Sequence, residues 1–255
     1  MHLHVTAETI SDGVSERPFT LGDIPGVLWS PAGNVPEDPA HSRRPLVLLA
    51  HGGGQHKQAP NVLGRARRLA TGCGFAAAAI DAPGSGDRPR TEEDERFVAE
   101  IRALMAAGEP VGPQVARYNA AQAERAVPEW RATLDALQAQ SGLGGPVGFW
   151  GVSMGSATGV PLAAADPRIT AAVFGLAGHE FLAAAAARVT IPIQFLLQWD
   201  DEQIPRESGL ALFDAFASRE KTLRANPGRH GDMPMFEVES SLRFFVRHLR
   251  PGDGG

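Results

Sequence analysis

The 255-residue chain is 43% hydrophobic and 21% charged, with a formal net charge of −5 and a single cysteine. That length can bury a sizeable core within one domain. The negative balance, the lack of a basic stripe and the lack of an apolar run near the roughly 18 residues of a membrane span exclude a nucleic-acid binder and a membrane-spanning protein.

Along the chain, residues 1–45 read as an opening antiparallel segment, with strand-like pieces at Arg17–Thr20 and Gly26–Ser30 between Gly and Pro turn signals. The segment MHLHVTAETISDG has no charged stretch leading into an apolar one, so no signal peptide is readable. Together with the lone Cys73, this gives the expectation of a cytoplasmic protein. Lys57 and Lys221 are the only lysines beside many arginines, a composition that points to a bacterial source. The run from Pro45 to Ala50 suits a strand buried on both faces, and Phe75–Ile80 is a second. Between them Val62, Leu63, Ala66 and Leu69 fall at helical spacing and stop at Gly72.

DAPGSGDRP follows, and then a more charged stretch in which Thr91 can cap TEED, with the acids at a helix N-terminus. The TEEDE run is expected to be solvated. Residues 87–114 exceed what a simple crossover needs and read as a small helical excursion, a partial lid. Val127, Trp130, Leu134 and Leu137 mark a longer helix closing at Gly142. Strand-like runs recur at Val147–Trp150, Ala171–Leu176 and Ile191–Leu197, and a last helix carries Val238, Leu242, Phe245 and Leu249 on one face. PGDGG at the C-terminus is expected to fray. Strands alternating with helices predict a single α/β domain, a three-layer α/β/α sandwich around a mainly parallel sheet. In such sheets ligands bind beyond the carboxyl ends of the strands.

Two motifs stand at those ends. The strand Val147–Trp150 runs into GVSMG, Gly151 to Gly155. With 29 glycines in 255 residues, chance supplies a G-x-S-x-G on the order of 0.15 times, so the preceding strand and the following small-residue helix carry the weight. A serine on a sharp strand-to-helix turn has strained backbone angles, and its neighbours must be small. HGGG, His51 to Gly54, ends the first buried strand. An attacked carbonyl becomes an oxyanion and needs donors in place beforehand. The pair that fits is the amide of Met154, next to the serine, and that of Gly53, with Gly54 as the alternative second donor.

A serine nucleophile needs a base. Of the eight histidines, His2, His4 and His41 lie in the opening segment and His248 in the last helix. His51 and His56 flank the glycine loop, and His179 follows a strand. His230, in the turn-rich NPGRHGDMP just before the last helix, is best placed to hang over the sheet end. An imidazole base needs a carboxylate on its other nitrogen. Between Ser153 and His230 the acid cluster at a strand end is WDDE, with Asp200, Asp201 and Glu202. Asp166, Glu180, Glu207, Asp214 and Glu220 fall in predicted helices or their ends.

GVSMG with HGGG, DAPGSG, DDEQIP and RHG resembles the α/β-hydrolase family, most closely its single-domain esterase and dienelactone-hydrolase-like branches, over about residues 26–250. The resemblance implies a Ser-His-Asp triad in the order serine, acid, histidine. The family's acid often stands in a D-x-x-[VI]-P pattern, which Asp201 to Pro205 matches. That selects Asp201, with Asp200 as runner-up and Glu202 a solvated neighbour. The chain departs from the family in placing Gln198-Trp199 before the acids, where a glycine is common. Dienelactone hydrolases proper use a cysteine nucleophile, whereas this elbow carries serine. Cys73, in TGCGF between a helix and a strand, is a small buried residue in this reading.

The reading is a serine hydrolase acting on a carboxylic ester or related acyl bond through an acyl-enzyme. Ser153 is the nucleophile, His230 the base and Asp201 its orienting acid. No metal or organic cofactor is implied, and the expected partner is a small-molecule acyl substrate. Phe149, Trp150 and Trp199 flank the motifs and are candidate pocket residues. A non-hydrolytic binding or biosynthetic protein on the same fold is one alternative, and a cofactor-free perhydrolase or haloperoxidase is another. No motif decides the oligomeric state.

Overall fold

Every residue of Leu46–Ala50 (β5) and Ala76–Ile80 (β6) is buried, and so is every residue of Val147–Gly151 (β7). Strands covered on both faces have no need of polar alternation, which is why they read as unbroken apolar runs. The computed structural model describes residues 2–33, 43–140 and 142–250. His41 and the PGDGG tail lie outside the described residues.

β6, β5, β7, Ile169–Gly175 (β8), Ile193–Gln198 (β9) and Lys221–Asn226 (β10) lie side by side, all parallel. The opening segment adds Leu3–Val5 (β1), Thr9–Ser11 (β2), Val14–Leu21 (β3) and Ile24–Pro31 (β4), all antiparallel, with β4 joined to β6. Among the described residues the sheet has ten strands. Both predicted opening strands are therefore present, extended and paired about the turn at Gly22 and Asp23. β1, β2 and β10 went unseen by the apolar pattern. β10, KTLRAN, is an edge strand whose residues are mostly only part-buried or exposed, so its sequence carries no apolar run.

Side chains alternate across the sheet into two cores, one on each face. Leu46, Leu48, Phe149, Phe174 and Phe195 meet Trp130, Leu134, Val160 and Leu212 on one side. Those partners come from Gly112–Gln138 (α3), Met154–Ala165 (α4) and Arg206–Ala215 (α6). Val47, Leu49, Trp150 and Val173 meet Val62, Ala66, Leu242 and Phe245 on the other, from Pro60–Arg68 (α1) and Met235–Leu249 (α7). This is the three-layer sandwich. Cys73 is buried in the second core, where burial also pushes its thiol pKa up. No helix of the described residues is long and apolar enough to cross a membrane.

The stretch predicted as a helical excursion, residues 87–114, contains Glu92–Ala107 (α2) whole and the first turn of α3. Thr91 and Asp94 form the capping box at the start of α2. The TEEDE run is not simply solvated, because Asp94 is 1% exposed. Its carboxylate accepts hydrogen bonds from the Thr91 amide, the Tyr118 hydroxyl, Gln122 and Arg125, tying α2 to α3. The described residues also include the short Ala183–Ala186 (α5) and a π-helical turn, Leu69–Cys73, that follows α1.

Candidate active site

The elbow after β7 forces an unusual backbone on Ser153, with φ 57° and ψ −122°. An L-residue adopts positive φ only at a steric cost, so the surrounding chain must hold it there. A Cβ on Gly151 would lie 2.5 Å from the Gly155 carbonyl oxygen, and one on Gly155 would lie 2.9 Å from that of Ala50. Both flanking glycines are thus sterically required. The Ser153 amide donates to the Gly175 carbonyl at 2.9 Å. The buried Ser156 hydroxyl lies 2.8 Å from both the Gly151 and the Gly175 carbonyl oxygens and accepts the Gly175 amide at 2.9 Å. These bonds lock the turn to β8.

The loop after β10 brings His230 over this serine. His230 Nε2 lies 3.0 Å from Ser153 Oγ, and Nδ1 lies 2.8 Å from Asp201 Oδ2. The other Asp201 oxygen accepts the amides of Gln203 and Ile204 at 2.8 and 2.9 Å. With three hydrogen bonds so directed, the Asp201 carboxylate has one orientation, and its side chain is only 4% exposed. The neighbouring acids have different tasks. Asp200 Oδ2 accepts the Gly228 amide at 3.2 Å. Glu202, expected as a solvated neighbour, is exposed and also accepts the His230 amide at 3.0 Å and faces Arg229. Those contacts, the His230 amide first, hold its carboxyl below the usual glutamate range.

On the opposite side of Ser153 the glycine loop after β5 is anchored by side chains that sequence reasoning passed over. His51 is buried; its Nε2 accepts the Ala82 amide at 3.0 Å and its Nδ1 faces the Gly52 carbonyl at 2.9 Å. That pattern requires the neutral ring, and burial depresses its pKa accordingly. Lys57 Nζ donates to Asp81 at 2.7 Å and Asp87 at 2.6 Å, joining HGGG to the DAPGSGD loop. The Gly52 amide is already taken by Gln55 Oε1. Gly53 faces Ser153 in two cavities, whereas Gly54, at φ 71°, lines only one of them. As the first residue of α4, Met154 has no acceptor one turn earlier for its amide, which stands beside Ser153.

No family model matches the chain, and no curated protein does. Solved structures do. A cold-adapted esterase from an Arctic intertidal metagenomic library, solved with polyethylene glycol bound, is 34% identical over 96% of this chain and 98% of that one, with a TM-score of 0.75. The chain belongs to the α/β-hydrolase family. Two more distant members share the fold. An acetyl xylan esterase from a Paenibacillus species is 17% identical, covering 98% of this chain and 89% of that one, at TM-score 0.66. A dienelactone hydrolase from Anabaena variabilis is 19% identical, covering 97% and 100%, at TM-score 0.62.

Three cavities of this α/β-hydrolase meet at Ser153. One, of about 360 Å³, lies between the glycine loop, α1 and the His230 loop, and Asn61, Arg65 and Met233 line it. A second, of about 380 Å³, lies under α2 and α3, against Phe97, Ile101, Val115 and Tyr118. A small third, between Ala157, Leu176, Phe181 and Leu182, is apolar. None of the expected aromatic residues lines them. Trp150 and Phe149 are fully buried core residues that point to opposite faces of the sheet, because successive strand residues must. Trp199 is 44% exposed and stacks under the Arg206 guanidinium. The residues that do line the site come from helix faces and loops, whose direction toward Ser153 only the fold reveals. Among the described residues no cluster of three or more His, Cys, Asp or Glu is placed to hold a metal.

Proposed function

We propose that the chain is a serine hydrolase of carboxylic esters or related acyl bonds. The observation that carries this reading is the unbroken line from Asp201 through His230 to Ser153, with both links at hydrogen-bond distance and the serine on a strained elbow. A binding protein would have no need of that strain or of all three groups. The family's esterases support ester hydrolysis in general terms.

In this reading His230 Nδ1–H donates to Asp201, which leaves Nε2 free to take the Ser153 proton. Ser153 Oγ then attacks the substrate carbonyl. The negative charge that forms on the carbonyl oxygen is met by the amides of Met154 and Gly53. The imidazolium, stabilised by Asp201, returns its proton to the departing alcohol. Water, activated by the same nitrogen, then releases the acyl group from Ser153 and restores the starting state. The cavities beside Ser153 receive the acyl and alcohol portions of a small-molecule substrate.

The test is labelling with a fluorophosphonate probe, together with hydrolysis of p-nitrophenyl esters of graded acyl length. The wild type is expected to be labelled and to turn over at least the short esters, and Ser153→Ala to do neither. A wild type left unlabelled where an ordinary esterase reacts would sink the reading. Parallel assays with hydrogen peroxide separate perhydrolysis from hydrolysis.

A further inference from the structure

Two cationic side chains are buried among the described residues, Lys57 and Arg65. Lys57 is met by two carboxylates. Arg65 is 7% exposed, and among the described residues its guanidinium meets no carboxylate and donates no hydrogen bond; its buried Nε has no partner. The guanidinium lies 4.8 Å from the centre of the Trp150 ring. That cation–π contact offsets only part of the cost of taking an unpaired charge out of water. A leucine or methionine would cover Trp150 without that cost. Burial brings the Arg65 pKa down to about 10, so the group remains charged at neutral pH.

Its position gives the charge a use. Asn61, Gly64, Arg65 and Arg68 recur at helical spacing, so α1 turns one face to the cavity that also holds Ser153, Gly53 and His230. The other polar groups on that face are engaged. Asn61 donates to Gln55 and caps the Val62 amide, and Arg68 pairs with Glu239 at 2.9 Å. Gly64 has no side chain to crowd the guanidinium. Among the described residues Arg65 is the guanidinium on that face with no carboxylate partner and no hydrogen bond.

We propose that Arg65 is the receptor for a carboxylate on the substrate that Ser153 attacks, so that the natural substrates are esters carrying an anionic group. This rests on the hydrolase reading above and names its substrate class. A guanidinium fork matches a carboxylate with two parallel hydrogen bonds, and one uncompensated charge suits one anionic group.

The test compares matched esters. Mono-p-nitrophenyl glutarate against p-nitrophenyl pentanoate places the anion on the acyl side. 4-Acetoxybenzoate against its methyl ester places it on the leaving side. The wild type is expected to show about tenfold or higher kcat/KM for the anionic member of at least one pair. Arg65→Gln and Arg65→Met should cut that anionic-to-neutral ratio about ten- to a hundredfold. A ratio that stays put in both variants, with anionic and neutral esters losing rate equally, overturns the proposal. The wild-type comparison needs no variant: neutral esters turned over at least as well as both anionic ones overturn this inference while leaving the hydrolase reading intact. Failure to hydrolyse any of the four overturns both.

Discussion

Glu202 Oε2 accepts the backbone N–H of His230 at 3.0 Å, while Asp201, one residue earlier, holds the ring of that same histidine at 2.8 Å. Asp200 binds the Gly228 amide. Three consecutive acids after β9 therefore grip three points of the histidine loop after β10, and only one of them touches the imidazole. Asp201→Asn should lower kcat by about a hundred- to ten-thousandfold, by disturbing the tautomer and leaving imidazolium unsupported. Glu202→Ala, which removes one positioning bond, should cost about tenfold or less, and Asp200→Asn less still. Steady-state kinetics on one activated ester ranks them. Equal losses at Asp200 and Asp201 would refute the assignment.

The elbow glycines make a steric prediction. A Cβ on Gly151 would stand 2.5 Å from the Gly155 carbonyl oxygen, a backbone atom that cannot step aside without moving α4. Gly151→Ala should destabilise the fold by about 1–3 kcal/mol and misplace Ser153. Gly72→Ala is the control, because nothing lies within 4 Å of the added carbon. Thermal melts of the two variants should separate by several degrees.

How much of this was legible follows from where each signal resides. β5, β6 and β7 announce themselves because burial on both faces demands apolar runs, whereas β10 lies at the edge and reads as KTLRAN. The structure brings Ser153, Asp201 and His230 together. Small neighbours and a turn-rich loop singled out Ser153 and His230, whereas the strand end alone left Asp200, Asp201 and Glu202 open and the resemblance to the family's D-x-x-[VI]-P pattern chose among them. Lys57 with Asp81, or Asp94 with Arg125, carry no such local mark, since their partners stand 24 and 31 residues away. Trp150 shows the opposite failure. Its place beside the elbow was plain, but one residue of register decides which face a strand side chain takes, and it faces α1 and α7.

Asp94 predicts an acid-sensitive junction between α2 and α3. Burial alone would raise its pKa. The Thr91 amide, the Tyr118 hydroxyl, Arg125 and the Thr91 hydroxyl outweigh burial and bring it down to about 2, from an ordinary value of 3.8. A carboxylate whose folded pKa is depressed stabilises the fold above its unfolded pKa. That contribution is lost as pH falls from about 4 through about 2. Asp94→Asn should lower the melting temperature at neutral pH and flatten its fall across this window. The wild-type and variant curves should converge toward pH 2. Parallel curves would mean that the charge is not what ties α2 to α3.

The Lys57–Asp81 pair predicts which substitutions cannot be repaired. Lys57→Met leaves the fully buried Asp81 carboxylate without its cation and should cost about 3–5 kcal/mol. Replacing both partners by apolar residues often restores stability elsewhere, because neither charge then needs a partner. Here Asp81 has further duties: Oδ1 accepts the Lys57 amide at 2.8 Å and Oδ2 the Asp87 amide at 3.0 Å. The double change Lys57→Met with Asp81→Leu would strand both amides, one of them deep beside the HGGG loop. It should therefore recover little stability, and the loosened Gly53 amide should lower kcat more than it raises KM. Chemical denaturation and kinetics of the single and double variants test this directly. A double variant as stable as the wild type would show that the pair serves only to neutralise charge and does not shape the loop.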